Sequence, residues 1–317
     1  MTTKRLFFSV LMAMLALLLH AQESQTVFNF LRLPVSSHAA ALGGDNISLT
    51  DDDASLVFHN PALLTNVSNR SLGLNMMTYM EGAVTGSASY SQMLGERAAW
   101  GVQGRFINFG KMKETTYDNQ ELGTFHANDF ALGGTFAYRL SDYFSGGVTA
   151  KLVASYIASY SSTGAAVDLG LNYYNPNSEW SISAAVRNLG GQLSAYEDDF
   201  ERMPIDLQLG VTKRLVGSPL RFSGTLVRLN DWEYGIGRHL VFGADLLLSE
   251  QIYVAFGYNA MRASEMKIKS GEDEESNHGA ALSLGAGLTL ERLKLHVSYG
   301  KYHVSSTSLM INFSYTL

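Results

Sequence analysis

The chain has 317 residues, with 23 Lys and Arg against 29 Asp and Glu for a net charge of −6, and it contains no cysteine. Without Cys, a disulfide framework, a thiolate zinc site and an acylated lipoprotein cysteine are all excluded, and the acidic balance argues against nucleic acid as a partner. Mean hydropathy is near zero, +0.01, a value that does not separate a soluble domain from a membrane β-barrel, because half of every barrel strand faces a polar lumen.

Lys4 and Arg5 precede an apolar stretch from Leu6 to Leu19, followed by His20, Ala21 and Gln22. This is the layout of a secretory signal peptide over residues 1–21, cleaved after Ala21. The stretch is short of the roughly 20 residues a spanning helix needs. Residues 22–70 differ in character from all that follows. Ser36 or Ser37 can cap a short helix through Ala39, Ala40, Ala41 and Leu42, which Gly43 and Gly44 would end. Asp53 can cap a second short piece, and Asn60 followed by Pro61 combines an N-cap with proline at the first helical position. Compact, partly apolar material ahead of the strands is expected to form a plug. Asp51, Asp52 and Asp53 together with Asn60 have the oxygen ligands a hard cation prefers, but capping and turn formation explain them better. No metal site and no cofactor is expected.

From Ser71 to Leu317 apolar and polar or small residues alternate in runs of about ten, the period-two signature of strands with two different faces. Strands are expected to begin near Ser71, Ala83, Ala98, Asp129, Tyr143, Thr163, Trp180, Ile205, Leu220, His239, Gln251, Gly279, Leu293 and Thr307. Connections alternate between tight ones, such as Leu94 to Arg97 and Leu140 to Asp142, and a set that includes the long segments Met112 to Asn128, Gly190 to Pro204, Asn230 to Arg238 and Arg262 to His278. Segregation of long and short connections to opposite rims is the outer-membrane barrel arrangement, with tight turns and both termini periplasmic. The fold class expected is therefore all-β, a transmembrane antiparallel β-barrel of about fourteen strands over residues 71–317, preceded by the plug over residues 22–70.

Val102, Phe106, Val148, Leu152, Leu169, Val254 and Phe256 would face lipid, and Gln103, Arg105, Lys151, Asp168, Arg187, Asp206, Asp245, Lys294 and His296 the lumen. Charges of both signs on one face imply a polar, mutually paired interior, since a charge facing lipid costs about 2 to 4 kcal/mol at the midplane. Aromatics near strand ends, among them Tyr138, Tyr143, Tyr156, Trp180, Tyr258 and Tyr299, would form interfacial girdles.

The string DDDASLVFHNPALL, after an Ala-Leu-Gly-Gly motif, resembles the N-terminal signature of the FadL-like outer-membrane barrels. The fuller string FLRLPVSSHAAALGGDNISLTDDDASLVFHNPALL is similar to the PorQ family of the type IX secretion system, with the likeness strongest over residues 28–64. The aromatic-rich final strand with Phe313 and Tyr315 resembles an outer-membrane assembly signal, although it ends on Leu317 rather than Phe. The resemblance implies fourteen strands with an N-terminal hatch, residence among outer-membrane lipid and lipopolysaccharide, and a role in the attachment complex that processes and anchors secreted cargo. A PorZ-like surface partner and other components of that complex would be its partners.

Two other function classes compete: a FadL-type channel for a hydrophobic small molecule, and an in-membrane lipid hydrolase. The lumen-facing residues are mostly polar or small, with Met77, Tyr79, Val153, Val241 and Leu247 as exceptions, which counts against an apolar route. No GxSxG, HExxH, Walker A or complete GxGxxG motif is present, so no enzyme is expected. The acidic segment Glu272, Asp273, Glu274, Glu275 reads first as a solvated loop and second as a candidate docking loop for the partner.

Overall fold

The computed structural model describes residues 26–317 apart from 81, 117, 119, 232, 270–274 and 277–278. The signal-peptide segment, residues 1–21, lies outside the described residues. The strands are β1 (Ser71–Thr78), β2 (Val84–Leu94), β3 (Ala98–Thr115), β4 (Glu121–Arg139), β5 (Phe144–Ile157), β6 (Tyr160–Asn175), β7 (Trp180–Ser194), β8 (Asp206–Arg214), β9 (Leu220–Leu226), β10 (Leu240–Leu247), β11 (Ile252–Asn259), β12 (Ile268–Lys269), β13 (Glu275–Ser276), β14 (Leu282–Thr289), β15 (Leu293–His303) and β16 (Ser306–Thr316). All but β12 and β13, which form a separate two-stranded ribbon, close into one antiparallel barrel of fourteen strands. β16 closes the barrel on β1 in continuous register from Ser71↔Thr316 to Met77↔Met310, so neither first nor last strand leaves an unpaired edge.

Every second connection is tight, as at 95–97, 140–143, 176–179, 215–219, 248–251 and 290–292, and these share a rim with residue 70 and Leu317. The opposite rim carries the connections 195–205, 227–239 and 260–281. One expected long loop is absent. Met112 to Asn128 is mostly strand, because β3 and β4 continue past the wall as a ribbon pairing Lys111↔His126, Met112↔Phe125 and Lys113↔Thr124. Both faces of this ribbon meet water, so its side chains carry no apolar period, and alternation could not reveal it. Gly190 to Pro204 is likewise shortened, since β7 runs to Ser194.

The two faces of the wall follow the alternation. Val102, Leu132, Leu152, Leu171 and Phe256 are exposed outward, while Gln103, Thr149, Asp168, Arg187, Gln208, Asp245 and His296 are buried inward. Tyr138, Tyr143, Tyr156, Trp180, Tyr258 and Tyr299 are exposed near strand ends, in the positions of interfacial girdles. What buries the inner face is residues 26–70. Leu31, Leu42, Ile47, Leu49, Leu56, Leu63 and Leu64 are among the most deeply buried side chains of the molecule. The inward apolar exceptions of the wall pack on this segment: Val153 joins Phe28, Phe30 and Leu31, and Met77 joins Ala40.

Candidate functional site

The segment inside the barrel is built from short capped pieces. Ser36 caps the helix Ser37–Ala41, its Oγ accepting from Ala39 N at 3.3 Å. Gly43 and Gly44, at φ +108° and +104°, end it, a backbone region open to glycine, and Gly44 N donates to Ala39 O at 2.8 Å. Asp53 Oδ1 accepts from Ser55 N at 2.8 Å at the start of the 3-10 turn Ala54–Phe58. Asn60 Oδ1 accepts from Ala62 N at 3.0 Å ahead of Pro61–Asn66, with Pro61 at the first helical position. Glu272, Asp273 and Glu274 lie outside the described residues, and the backbone of Glu275 pairs with Lys269 in the β12–β13 ribbon.

Where the segment meets the wall, the wall gives way by lacking side chains. Gly147 and Gly170 face each other in register across β5 and β6. A Cβ on Gly147 would stand 2.5 Å from the Pro61 carbonyl carbon, and one on Gly170 only 1.9 Å from Asn60 Oδ1. The Asn60–Pro61 corner is thus seated on a pair of wall glycines. Asn60 Nδ2 completes the seat by donating to Ile47 O at 2.9 Å and Leu171 O at 3.4 Å.

Charge holds the tight-turn side. Arg221 on β9 reaches Asp51 Oδ1 and Asp245 Oδ2, each at 2.6 Å. His38, fully buried, lies between the same two carboxylates, with Nε2 2.8 Å from Asp245 and Nδ1 3.1 Å from Asp51. Its ring stacks on Tyr253 at 3.8 Å. Burial alone would lower the His38 pKa, but the Asp245 and Asp51 carboxylates outweigh it and hold the imidazole above its ordinary value. Asp51 is held well below the carboxylate range despite burial, chiefly by Arg221 and His38. Lys294 of β15 pairs with Asp52 through its side chain and donates to its carbonyl at 2.5 Å. The three consecutive aspartates therefore serve three different partners, since Asp53 accepts from Ser36 Oγ at 3.0 Å and from Ser55. Among the described residues no cluster of metal-ligating side chains is present.

On the long-connection side the wall donates to the segment's backbone. Arg105 and Arg187 give hydrogen bonds to Leu31 O at 3.3 and 3.2 Å, Asn259 to Gly43 O at 2.9 Å, and Tyr302 to Ala40 O at 3.2 Å. Above this layer a recess of about 430 Å³ opens, bounded by Arg32 and Leu33 of the inner segment, Arg228 of the 227–239 connection, Met261 and Glu265 of the helix Ala260–Glu265, and Tyr302. Arg187, Asp245 and Lys294 are recognisable in the sequence as inward charges but not as partners of the inner segment, whereas inward His296 bonds to Tyr253 of the wall. Arg32 falls inside the FLRLPVSS string without being singled out by it, and Arg221 belongs to no recognisable motif. The only signal that could have found Arg221 is a charge at inward parity in a mid-barrel strand.

No family model and no curated protein matches the sequence. Solved structures do match. The TodX deltaS2S3 mutant monoaromatic hydrocarbon channel superposes with a TM-score of 0.60 at 12% identity, over 90% of this chain and 99% of that one. The chain has a FadL-type barrel fold. A Pseudomonas aeruginosa FadL homologue gives 0.54 at 12% identity over 90% and 99% of the two chains, and the Pseudomonas putida toluene transporter TodX gives 0.56 at 14% over 89% and 97%. These neighbours are channels and transporters rather than enzymes, and at such identities the likeness is one of fold.

Proposed function

We propose that this barrel is a sealed outer-membrane platform, with the long-connection rim outside the cell and both termini in the periplasm, that holds a surface protein partner. The partner would be PorZ-like, within the type IX attachment complex that processes secreted cargo and links it to lipopolysaccharide, as the likeness of residues 28–64 to the PorQ family suggests. The observation that carries the sealed-platform part is the lumen. Residues 26–70 are bonded to strands on all sides of it, from Arg105 of β3 and Asn259 of β11 to Lys294 of β15. The recess above them is lined by Arg32, Asp45, Asp206, Arg228, Arg262 and Glu265 beside a smaller apolar share that includes Leu33 and Met261, a wall unsuited to a neutral, wholly apolar solute because such a solute would leave those charges poorly solvated. Loops on a rigid scaffold are suited to carrying a partner, and the connection 260–281 is the longest on this rim, followed by 227–239 and 195–205.

The second reading is a channel for a hydrophobic small molecule, favoured by the fold shared with TodX. Loop deletion separates the two. A barrel lacking residues 268–278 should insert and keep its heat-stable fold while losing a co-purifying surface protein. Retention of partner and cargo by both loop-deleted and gene-deleted cells, with toluene or fatty-acid uptake lost in the gene deletion, would replace the platform by the channel.

A further inference from the structure

We infer that the recess beneath the long-connection rim is a binding site for a compact oxyanion, a carboxylate or phosphate carried on a small apolar body, with Arg32 as the receiving cation. The inference does not depend on whether the barrel is a platform or a channel. Arg32 closes the 3-10 turn Asn29–Arg32 at the floor of the recess. Among the described residues it makes no hydrogen bond or ion pair, and its Nε is buried without a partner. A guanidinium has five donors to satisfy, and in half-buried Arg32 it is Nε that burial leaves without a partner, at a cost an acceptor would remove. The neighbouring acids Asp206, Glu265 and Asp231 act on Arg32 electrostatically without bonding to it, and each is engaged elsewhere, Asp231 accepting from Glu233 N at 3.3 Å. Glu265 is held in a two-pronged pair by Arg228. Asp206 accepts from Arg228 N at 2.7 Å and Gln208 Nε2 at 2.6 Å. Asp45 accepts from Asn259 Nδ2 at 3.4 Å and stands 3.7 Å from Arg187.

A second guanidinium adds to the positive side. Arg262 is buried, spends Nε and Nη2 on Ala280 O and Ser283 Oγ, lies 4.4 Å over the Tyr302 ring, and leaves Nη1 without a hydrogen bond. Burial and the neighbouring Arg228 charge lower the Arg32 pKa to about 10, which still leaves it cationic at neutral pH. A guanidinium beside Arg228, bonded to none of the acids around it, in a recess of about 430 Å³ is open to an incoming oxyanion, because a planar fork matches carboxylate and phosphate oxygens. Leu33, Met261, Met266 and Tyr302 along the same wall offer apolar contact for a small body behind the anionic head.

The test uses the mature full chain in detergent, with benzoate, phenyl phosphate and inorganic phosphate titrated at fixed ionic strength by calorimetry. At least one organic probe should bind in the millimolar range or tighter. Arg32→Gln should weaken it about tenfold or more, the scale of one lost charged hydrogen bond. Met266→Trp, which narrows the recess without removing a charge, should weaken the organic probes and supplies the check if Arg32→Gln fails to fold as judged by heat-modifiable migration. The stronger of benzoate and phenyl phosphate identifies the head group. No binding of either below 10 mM, or binding unchanged in both variants, overturns the inference (10 mM corresponds to a free energy of about −2.7 kcal/mol).

Discussion

Gly170→Ala places one methyl group where the wall has none, and its cost can be worked from the seat of Asn60. The new Cβ would stand 1.9 Å from Asn60 Oδ1, against an ordinary contact of at least 3.4 Å, so the cap must withdraw by 3.4 − 1.9 = 1.5 Å. That movement disrupts the bonds of Asn60 to Ala62 N and Ile47 O. Overpacking costs about 1 to 3 kcal/mol, and loss of the cap, as in Asn60→Ala alone, about 0.5 to 2 kcal/mol. The double variant should cost less than the sum, because Asn60→Ala removes Oδ1 and Cγ, the clashing atoms. The nearest atom then left is Pro61 Cδ at 3.0 Å, a contact that a shift of a few tenths of an ångström relieves. In the Asn60→Ala background, Gly170→Ala should therefore cost under about 1 kcal/mol, a coupling well outside the roughly 0.5 kcal/mol within which independent sites add. Native-state hydrogen exchange of amides in residues 60–67 measures the opening free energy, and barrel integrity is checked by heat-modifiable migration. Additive effects, or protection in Gly170→Ala equal to wild type, would refute the seating argument.

His38→Asn should weaken retention of the inner segment in a pH-dependent way. Because the folded pKa of His38 is raised, its contribution is fully present below the unfolded value near 6.5 and is lost as pH rises through the folded pKa. The opening free-energy gap between wild type and variant should thus be widest in mild acid and shrink in base, and a gap that grows with pH would contradict the paired-imidazolium assignment. Leu132→Arg places a charge at the most exposed large apolar side chain of β4 and should destabilise the inserted barrel by about 2 to 4 kcal/mol. An unchanged heat-stable fraction and denaturant midpoint in lipid vesicles would mean that this face does not meet acyl chains.

Strand alternation made the barrel legible because each wall residue has only two environments, lipid and lumen, and side-chain polarity follows which one it faces. Strand beginnings at Ser71, Ala98, Trp180, Leu220 and Leu293 lie where the structure has them. The rule fails where both faces are wet, as in the β3–β4 ribbon, whose Lys113–Glu121 pair stands free of the wall. The short capped pieces at Ser36, Asp53 and Asn60 were also readable, since a cap is a local interaction between residues two or three apart. Their seat was not. Whether Gly170 is a flexible strand position or the floor beneath Asn60 depends on contacts 110 residues away in sequence (170 − 60), and no local pattern encodes that distance. Arg221 poses the same problem in electrostatic form, because its partners Asp51 and Asp245 come from two separate segments.

The same polarity that lets the wall insert also limits how its lumen can be filled. An apolar plug would leave Lys294 without its partner Asp52 and would bury the Arg221–Asp245 wall pair against hydrocarbon, and an unpaired buried charge costs several kcal/mol. The inner segment answers with its own charges: Asp51 and His38 complete a set of two acids and two bases with Arg221 and Asp245, and Asp52 meets Lys294. Apolar packing is reserved for places where the wall itself turns apolar, as at Val153 and Met77. A plug held in this way differs from a protein core in what its release would cost. If the segment withdrew, water entering the lumen could solvate the exposed charges, whereas an apolar interface would be left wetted. The electrostatic part of the contact can therefore be exchanged for hydration, and disturbing a steric seat such as Gly170 should release the segment more effectively than screening its ion pairs with salt.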